Sequence, residues 1–194
     1  MTPFFRVSLD QIAQLVGEAV QPYPDVPASL VLAVVDHESS GGDVWAWNPE
    51  PRYRWFWDVR QNKPFRHADG RPVTDSEVAS KIPPKDFRAS AAGVDPDAEW
   101  WGQQASWGLM QIMGAVARER GFAGRFLNQL HDPALNIAFG VKHLAAYAKQ
   151  YLGSYGWPGV LRAYNGGPYA VTHNSNPEYV EKIKQAHGGS LPGA

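Results

Sequence analysis

A helical repeat of apolar residues, present on both sides of one irregular stretch, constrains the fold of this chain most strongly. In the first segment, apolar residues recur three and four positions apart from Leu9 to Val20, after a capping box formed by Ser8 and Gln11. The same spacing, bounded by proline, aspartate, asparagine or glycine, predicts helices over Pro27 to about 40, Ser106 to Gly121, Asp132 to Gly153, Pro158 to Tyr164, and Asn176 to Gly188. We therefore expect a mainly α fold.

The irregular stretch covers about residues 48–103 and is rich in proline, arginine, aromatic residues and turn signals, with one short helix predicted near "TDSEVASKI". We interpret it as an insertion in a single domain that spans residues 1–194 and ends in a flexible tail over about 188–194. Seven of the 8 tryptophans lie between Trp45 and Trp107. That concentration suits a groove wall and a buried aromatic patch equally well.

Composition excludes several kinds of function. With 18 basic and 19 acidic residues, the net charge of −1 does not favour nucleic acid or an anionic membrane. The chain has no cysteine, which excludes disulfides, thiol catalysis and thiolate metal sites. We expect neither a signal peptide nor a membrane-inserted segment, because polar residues interrupt every apolar run.

Four reactive side chains lie side by side in "VVDHESSGG", where Asp36, His37, Glu38 and Ser39 precede two glycines. A zinc hydrolase motif "HExxH" would need a second histidine at position 41, which is Gly41. A serine nucleophile would need a pattern such as "GxSxG" or "SxxK", and neither is present. The cluster therefore predicts neither a metal site nor a catalytic serine.

Helical geometry separates Glu38 from its neighbours. Val31, Val34, Val35 and Glu38 are spaced i, i+3, i+4 and i+7, so Glu38 shares the buried face, while Asp36 and His37 are expected on other faces. Partial burial and the C-terminal end of the helix dipole should both raise the pKa of Glu38. Such a carboxyl could act as a general acid, or it could simply accept hydrogen bonds from buried backbone amides.

Four motifs, "HESSGG", "SWGLMQIM", "AYNGGPYAV" and "NPEYVEKI", occur in an order that resembles the soluble lytic transglycosylase (SLT) family, of which goose-type lysozyme is a relative. The resemblance covers about residues 27–47 and 104–186. It implies a lysozyme-like helical domain that cleaves the glycan strands of bacterial peptidoglycan without a metal or another cofactor.

The resemblance also implies roles for individual residues. Glu38 would be the catalytic acid and base, and Tyr179 would hold or polarise the reacting sugar. The predicted substrate-binding residues are Ser39, Gly108, Met110, Gln111, Tyr164 and Asn165. Tyr164 and Met110 could instead be core residues, and Asn165 could be a turn residue.

The chain departs from the family pattern in two places. More than fifty residues separate its first two motifs, so the serine that the family usually supplies between them is not assigned, although Ser106 is a candidate. The motif that follows "GLMQIM" is "GAVA", which resembles phage-encoded members. This implies a phage protein that acts on the bacterial cell wall, either as a released endolysin or in contact with other virion proteins. We expect a monomer.

Two alternatives to a transglycosylase remain open at this stage. A hydrolytic muramidase that inverts would need a second carboxylate to activate water, and the insertion offers Asp58 and Glu99, although pairing with Arg54, Arg60 or a backbone amide is the more ordinary use of such residues. A non-catalytic wall-binding or virion module would keep the fold without activity. In either case, we expect some of the tryptophans to stack on sugar rings, the candidates being Trp45, Trp47, Trp55, Trp57, Trp100 and Trp101.

Overall fold

The chain begins with two helices that form as their local signals predict. A computed structural model of the protein describes residues 7–80, 82–88 and 94–193. Helix α1 (Leu9–Val20) has the predicted capping box, in which Ser8 and Gln11 exchange hydrogen bonds. Helix α2 (Ala28–Glu38) follows Pro27 and ends at Glu38 itself. The second helix thus places the candidate acid at its C-terminal end.

The insertion contains more regular structure than the sequence indicates. It holds strands β1 (Trp47–Pro49), β2 (Trp57–Asp58) and β3 (Lys63–Pro64), helix α3 (Asp75–Ser80) and helix α4 (Pro96–Gln103). Strands β2 and β3 form an antiparallel hairpin, and α3 is the short helix that we predict near residue 77. The prediction lacks helix α4. Its sequence signals are nevertheless present, since Asp95 caps its first amides and Pro96 is its first residue.

The prediction of a helix that starts at Ser106 is wrong over its first half. Residues Ala105–Trp107 form strand β4, Ile112–Met113 form strand β5, and helix α5 covers only Gly114–Glu119. The strands lie antiparallel in the order β1-β4-β5. The turn between β4 and β5 contains positive φ angles at Gly108 and Gln111, which a helix cannot accommodate.

The C-terminal half is built on a long, kinked helix. A 3₁₀ helix (Leu127–His131) leads into α6 (Pro133–Thr172), and α7 (Pro177–Ala186) follows. Non-helical backbone at Gly156 and Gly167 divides α6 into three sections. The first break therefore lies at Gly156 and not at Gly153, and the helix predicted from Pro158 is the middle section. No helix in the described part of the chain is long and apolar enough to cross a bilayer.

Buried side chains form one main core and two smaller clusters. The main core packs α1, α2, α6 and α7 together around fully buried residues such as Leu30, Val34 and Ile183. The insertion has a core of its own, in which the rings of Phe56 and Trp100 stack with centroids 3.8 Å apart. Trp100 is fully buried, which excludes it as a sugar-stacking platform. The fold is mainly α, as predicted.

Candidate active site

Glu38 and Tyr179 form the centre of the site. Packing of Val31, Val34 and Val35 in the core fixes the orientation of α2, so the side chain of Glu38 faces α7. There the hydroxyl of Tyr179 donates a 2.7 Å hydrogen bond to Oε1 of Glu38. The two residues lie 141 positions apart in the chain, and the contact joins the first motif to the last.

The pKa of Glu38 lies well above that of an ordinary glutamate. Burial raises the pKa of Glu38 to about 7, against the opposing effect of the Tyr179 hydrogen bond. Burial and the nearby Glu38 carboxyl in turn hold the pKa of Tyr179 well above its usual value, so the phenol stays a donor. At neutral pH a substantial fraction of Glu38 can give a proton, and the ionised remainder can accept one.

Tyr164 lies beside this pair and links it to the "GLMQ" turn. Its hydroxyl donates a 2.7 Å hydrogen bond to the carbonyl oxygen of Met110. Burial and then the proximity of Glu38 raise the pKa of Tyr164 well above its usual value. The amide of Met110 in turn donates to Oδ1 of the buried Asn136 at 2.7 Å. A network of backbone and side-chain hydrogen bonds thus fixes one side of the site.

The "GLMQ" turn contains three of the predicted substrate-binding residues, and each of them contacts other parts of the protein. They are Gly108, Met110 and Gln111. A Cβ atom at Gly108 would lie 2.5 Å from Nδ2 of Asn136. Glycine is therefore needed at this position because the Asn136 side chain packs against the backbone. The side chain of Met110 is fully buried in the core, which corrects the prediction that it lines the cleft. Gln111 donates through Nε2 to the carbonyls of Ala46 and Gly108, and its Oε1 accepts from Ser106.

Ser39 is likewise placed differently from the prediction. Its side chain is buried, its hydroxyl donates to the carbonyl of Val35 at 2.6 Å, and its oxygen accepts from the amide of Gly42 at 3.2 Å. The hydroxyl therefore satisfies backbone groups at the end of α2. This arrangement corrects the prediction of a direct sugar contact by Ser39.

Asn165 is exposed at the edge of the site. Its Oδ1 accepts a 2.7 Å hydrogen bond from Nδ2 of Asn176, the residue before α7. The same residues line a shallow hollow of about 390 Å³ next to Tyr179. Asn165 therefore helps to fix the start of α7, and it remains accessible to a ligand.

The two carboxylates proposed for water activation both have partners within the protein. Glu99 is buried and receives two hydrogen bonds of 2.8 Å from Arg118, which is also buried. Gln103 donates a further 2.9 Å bond to the same carboxylate. Asp58 accepts from the amide and side chain of Gln61 in the β2–β3 hairpin. Their contacts give each of them a structural function in the insertion.

Sequence reasoning missed one neighbour of the reacting pair. The ring of His37 packs edge-on against the ring of Tyr179 with centroids 5.3 Å apart, although we expect it on another face. Burial and Lys182 lower the pKa of His37, with Asp36 opposing. Because Tyr179 belongs to α7, a helical wheel of α2 alone could not show this contact.

The fold and the site together define a lysozyme-like helical domain in which burial raises the pKa of one carboxyl group, Glu38, to about 7 and a tyrosine donates a hydrogen bond to it. The sequence profile of the family described as "Transglycosylase SLT domain" matches residues 87–186, just over half of the chain. The chain belongs to this family, whose members cleave peptidoglycan as lytic transglycosylases. Glu38 precedes the matched range, on the other side of the insertion. No curated protein and no solved structure matches the chain.

Proposed function

We propose that the protein cleaves the β-1,4 bond between N-acetylmuramic acid and N-acetylglucosamine with Glu38 as its single acid and base. The hydrogen-bonded pair of Glu38 and Tyr179, with the pKa of Glu38 raised to about 7, carries this proposal. A group that titrates near the working pH can both donate and accept a proton within one catalytic cycle.

The reaction consists of two proton transfers at the same carboxyl. Neutral Glu38 protonates the glycosidic oxygen as its bond to C1 of the muramyl residue breaks. The carboxylate then accepts the proton of the muramyl C6 hydroxyl while that oxygen bonds to C1. The product carries a 1,6-anhydro ring, and no water is consumed. Tyr179 keeps Glu38 oriented and stabilises its ionised form by the 2.7 Å hydrogen bond.

The contacts of Glu99 and Asp58 favour this reaction over inverting hydrolysis. An inverting muramidase needs a second carboxylate about 6.5–9.5 Å from the acid to activate water. The ion pair with Arg118 and the hairpin bonds to Gln61 occupy these two candidate carboxylates. Glu99 is a poor base because it is buried and its lone pairs already accept hydrogen bonds, while the half-buried Asp58 accepts two hydrogen bonds from Gln61.

The test is digestion of purified peptidoglycan, with separation of the muropeptides by mass spectrometry. We expect anhydromuramyl ends from the wild-type protein and none from Glu38→Gln, while Glu181→Gln, at an exposed position on α7 outside the hollow beside Tyr179, serves as the matched control. Reducing ends would show that the protein is a muramidase. Binding to peptidoglycan without any cleavage would show a non-catalytic wall-binding module, and undiminished cleavage by Glu38→Gln would exclude Glu38 as the acid.

A further inference from the structure

Helix α6 carries a row of aromatic rings that leads away from the reacting pair. His143, Tyr147, Tyr151 and Tyr155 are spaced four residues apart, so they lie on one face of the helix. Their centroids are separated by 4.5, 5.8 and 6.2 Å in succession. At its inner end, the ring of His143 lies 5.4 Å from the ring of Tyr164, the neighbour of Glu38. The row is therefore joined to the site through His143, whose ring is buried.

Tyr147, Tyr151 and Tyr155, which we call the tyrosine ladder, keep part of their surface free. Tyr147 and Tyr151 are half-buried, and Tyr155 is 47% exposed. Within the described part of the chain, no hydrogen bond involves their hydroxyl groups. Tyrosine offers a rigid apolar ring and a polar tip at little cost in conformational entropy, a combination that suits ligand binding.

A carboxylate stands at the inner end of the ladder. Glu119, at the end of α5, pairs with Arg120 at 3.3 Å, and Nε of Arg120 donates to Nδ1 of His143 at 3.2 Å. Oε2 of Glu119 accepts a 3.1 Å hydrogen bond from the indole of Trp55, a residue of the insertion. Glu119 thus joins the insertion to the base of the ladder.

Tyr53 belongs to the same segment of the insertion as Trp55. Burial, then Tyr147 and Glu119, raise the pKa of Tyr53 well above its usual value. Burial, then Glu119, raise the pKa of Tyr147 to about 12. Both phenols therefore stay protonated and can donate hydrogen bonds.

We propose that the tyrosine ladder and Glu119 form a saccharide-binding subsite that extends the cleft of Glu38 along the glycan strand. The proposal rests on the proposed function, because its ligand is further sugar units of the same strand. Tyrosine rings pack against the apolar faces of the sugars, and the Glu119 carboxylate accepts from sugar hydroxyl or acetamido N–H groups. The connection to Tyr164 through His143 favours this occupant over an unrelated partner.

A binding experiment tests the subsite without turnover. Chitohexaose, a strand of six β-1,4-linked N-acetylglucosamine units, is titrated by calorimetry into the Glu38→Gln protein and into the same protein with Tyr151→Ala or Glu119→Gln. We expect Tyr151→Ala to weaken binding about tenfold, the loss of one stacking ring, and Glu119→Gln to weaken it severalfold. Tyr155→Ala, at an exposed position, repeats the test if Tyr151→Ala does not fold. Undiminished affinity in the folded ladder variant and in Glu119→Gln would overturn the proposal.

The matched control is Tyr169→Ala, which removes an exposed ring on the same helix that stacks on His173, away from the ladder. A turnover experiment adds a second readout in proteins that retain Glu38. We expect kcat/KM of Tyr151→Ala to fall for long glycan strands and to stay unchanged for a tetrasaccharide, because only the long strand reaches the subsite. Equal losses at both lengths would overturn it. Absence of turnover in the wild type would contradict the proposed function alone, since the calorimetry still decides the subsite.

Discussion

Replacing Glu38 by glutamine should stabilise the protein, and by an amount that depends on pH. The pKa of Glu38 rises from its ordinary value of 4.5 to about 7 in the folded protein. The native state therefore keeps a proton that the unfolded chain has released, and the free energy of unfolding falls as the pH rises through this window. At 1.36 kcal/mol per pKa unit, the full cost of ionising Glu38 is about 3 kcal/mol.

Glutamine carries no charge and can accept the same hydrogen bond from Tyr179. We expect Glu38→Gln and wild type to be about equally stable near pH 4, where Glu38 is neutral in both the folded and the unfolded states. By about pH 8 the variant should be about 3 kcal/mol more stable, because only the wild type has to ionise a buried carboxyl.

Urea denaturation followed by circular dichroism at the two pH values measures this difference. The other titratable groups are the same in both proteins, so comparing the variant with the wild type isolates Glu38. Glu18→Gln, at an exposed position on α1, is the control and should show no such growth with pH. A stability gap that is the same at both pH values would refute the reasoning, because the Glu38 carboxyl would then not titrate differently in the folded state.

Three further predictions test other parts of the site. Tyr179→Phe removes a hydrogen bond that lowers the pKa of Glu38, so the alkaline limb of the pH profile for peptidoglycan clearing should move up by about one unit; a downward shift would contradict it. Glu99→Gln leaves the Arg118 guanidinium buried without its carboxylate and should cost about 3–5 kcal/mol in urea unfolding, whereas a cost below about 1 kcal/mol would contradict the buried ion pair. Gly108→Ala introduces a Cβ atom 2.5 Å from Asn136 and should lower the free energy of unfolding by about 2 kcal/mol or more, and an unchanged Tm would rule out this close approach.

The sequence predicts those parts of the molecule that depend on local signals. The capping box at Ser8, the proline that opens α2 and the periodicity that turns Glu38 towards the core are all local, and the structure agrees with each. The rise in the pKa of Glu38 follows from the same periodicity, because a carboxyl on the buried face is partly desolvated. Local sequence patterns are therefore sufficient to predict that Glu38 faces the core.

Contacts between distant segments determine the rest. Residues 106–113 have apolar residues at helical spacing, yet Gln111 bonds to the carbonyl of Ala46 and Met110 bonds to Asn136, which holds the turn in a non-helical form. No periodicity in the chain indicates that Tyr179 would meet Glu38 from 141 positions away. The resemblance of four motifs predicts only that Tyr179 acts on the reacting sugar, so its hydrogen bond to Glu38 is a finding of the structure.

The ends of the insertion explain how a long segment can interrupt the site without disturbing Glu38. Trp47 in β1 lies opposite Trp107 in β4, so the chain leaves and re-enters the domain at paired positions of one small sheet. Lengthening a loop between fixed ends costs little, since the closure entropy grows only with the logarithm of its length. The buried cluster around Phe56 and Trp100 supplies the insertion with its own stabilisation. The insertion is therefore stabilised by a core of its own, and the hydrogen-bonded pair of Glu38 and Tyr179 lies on helices outside it.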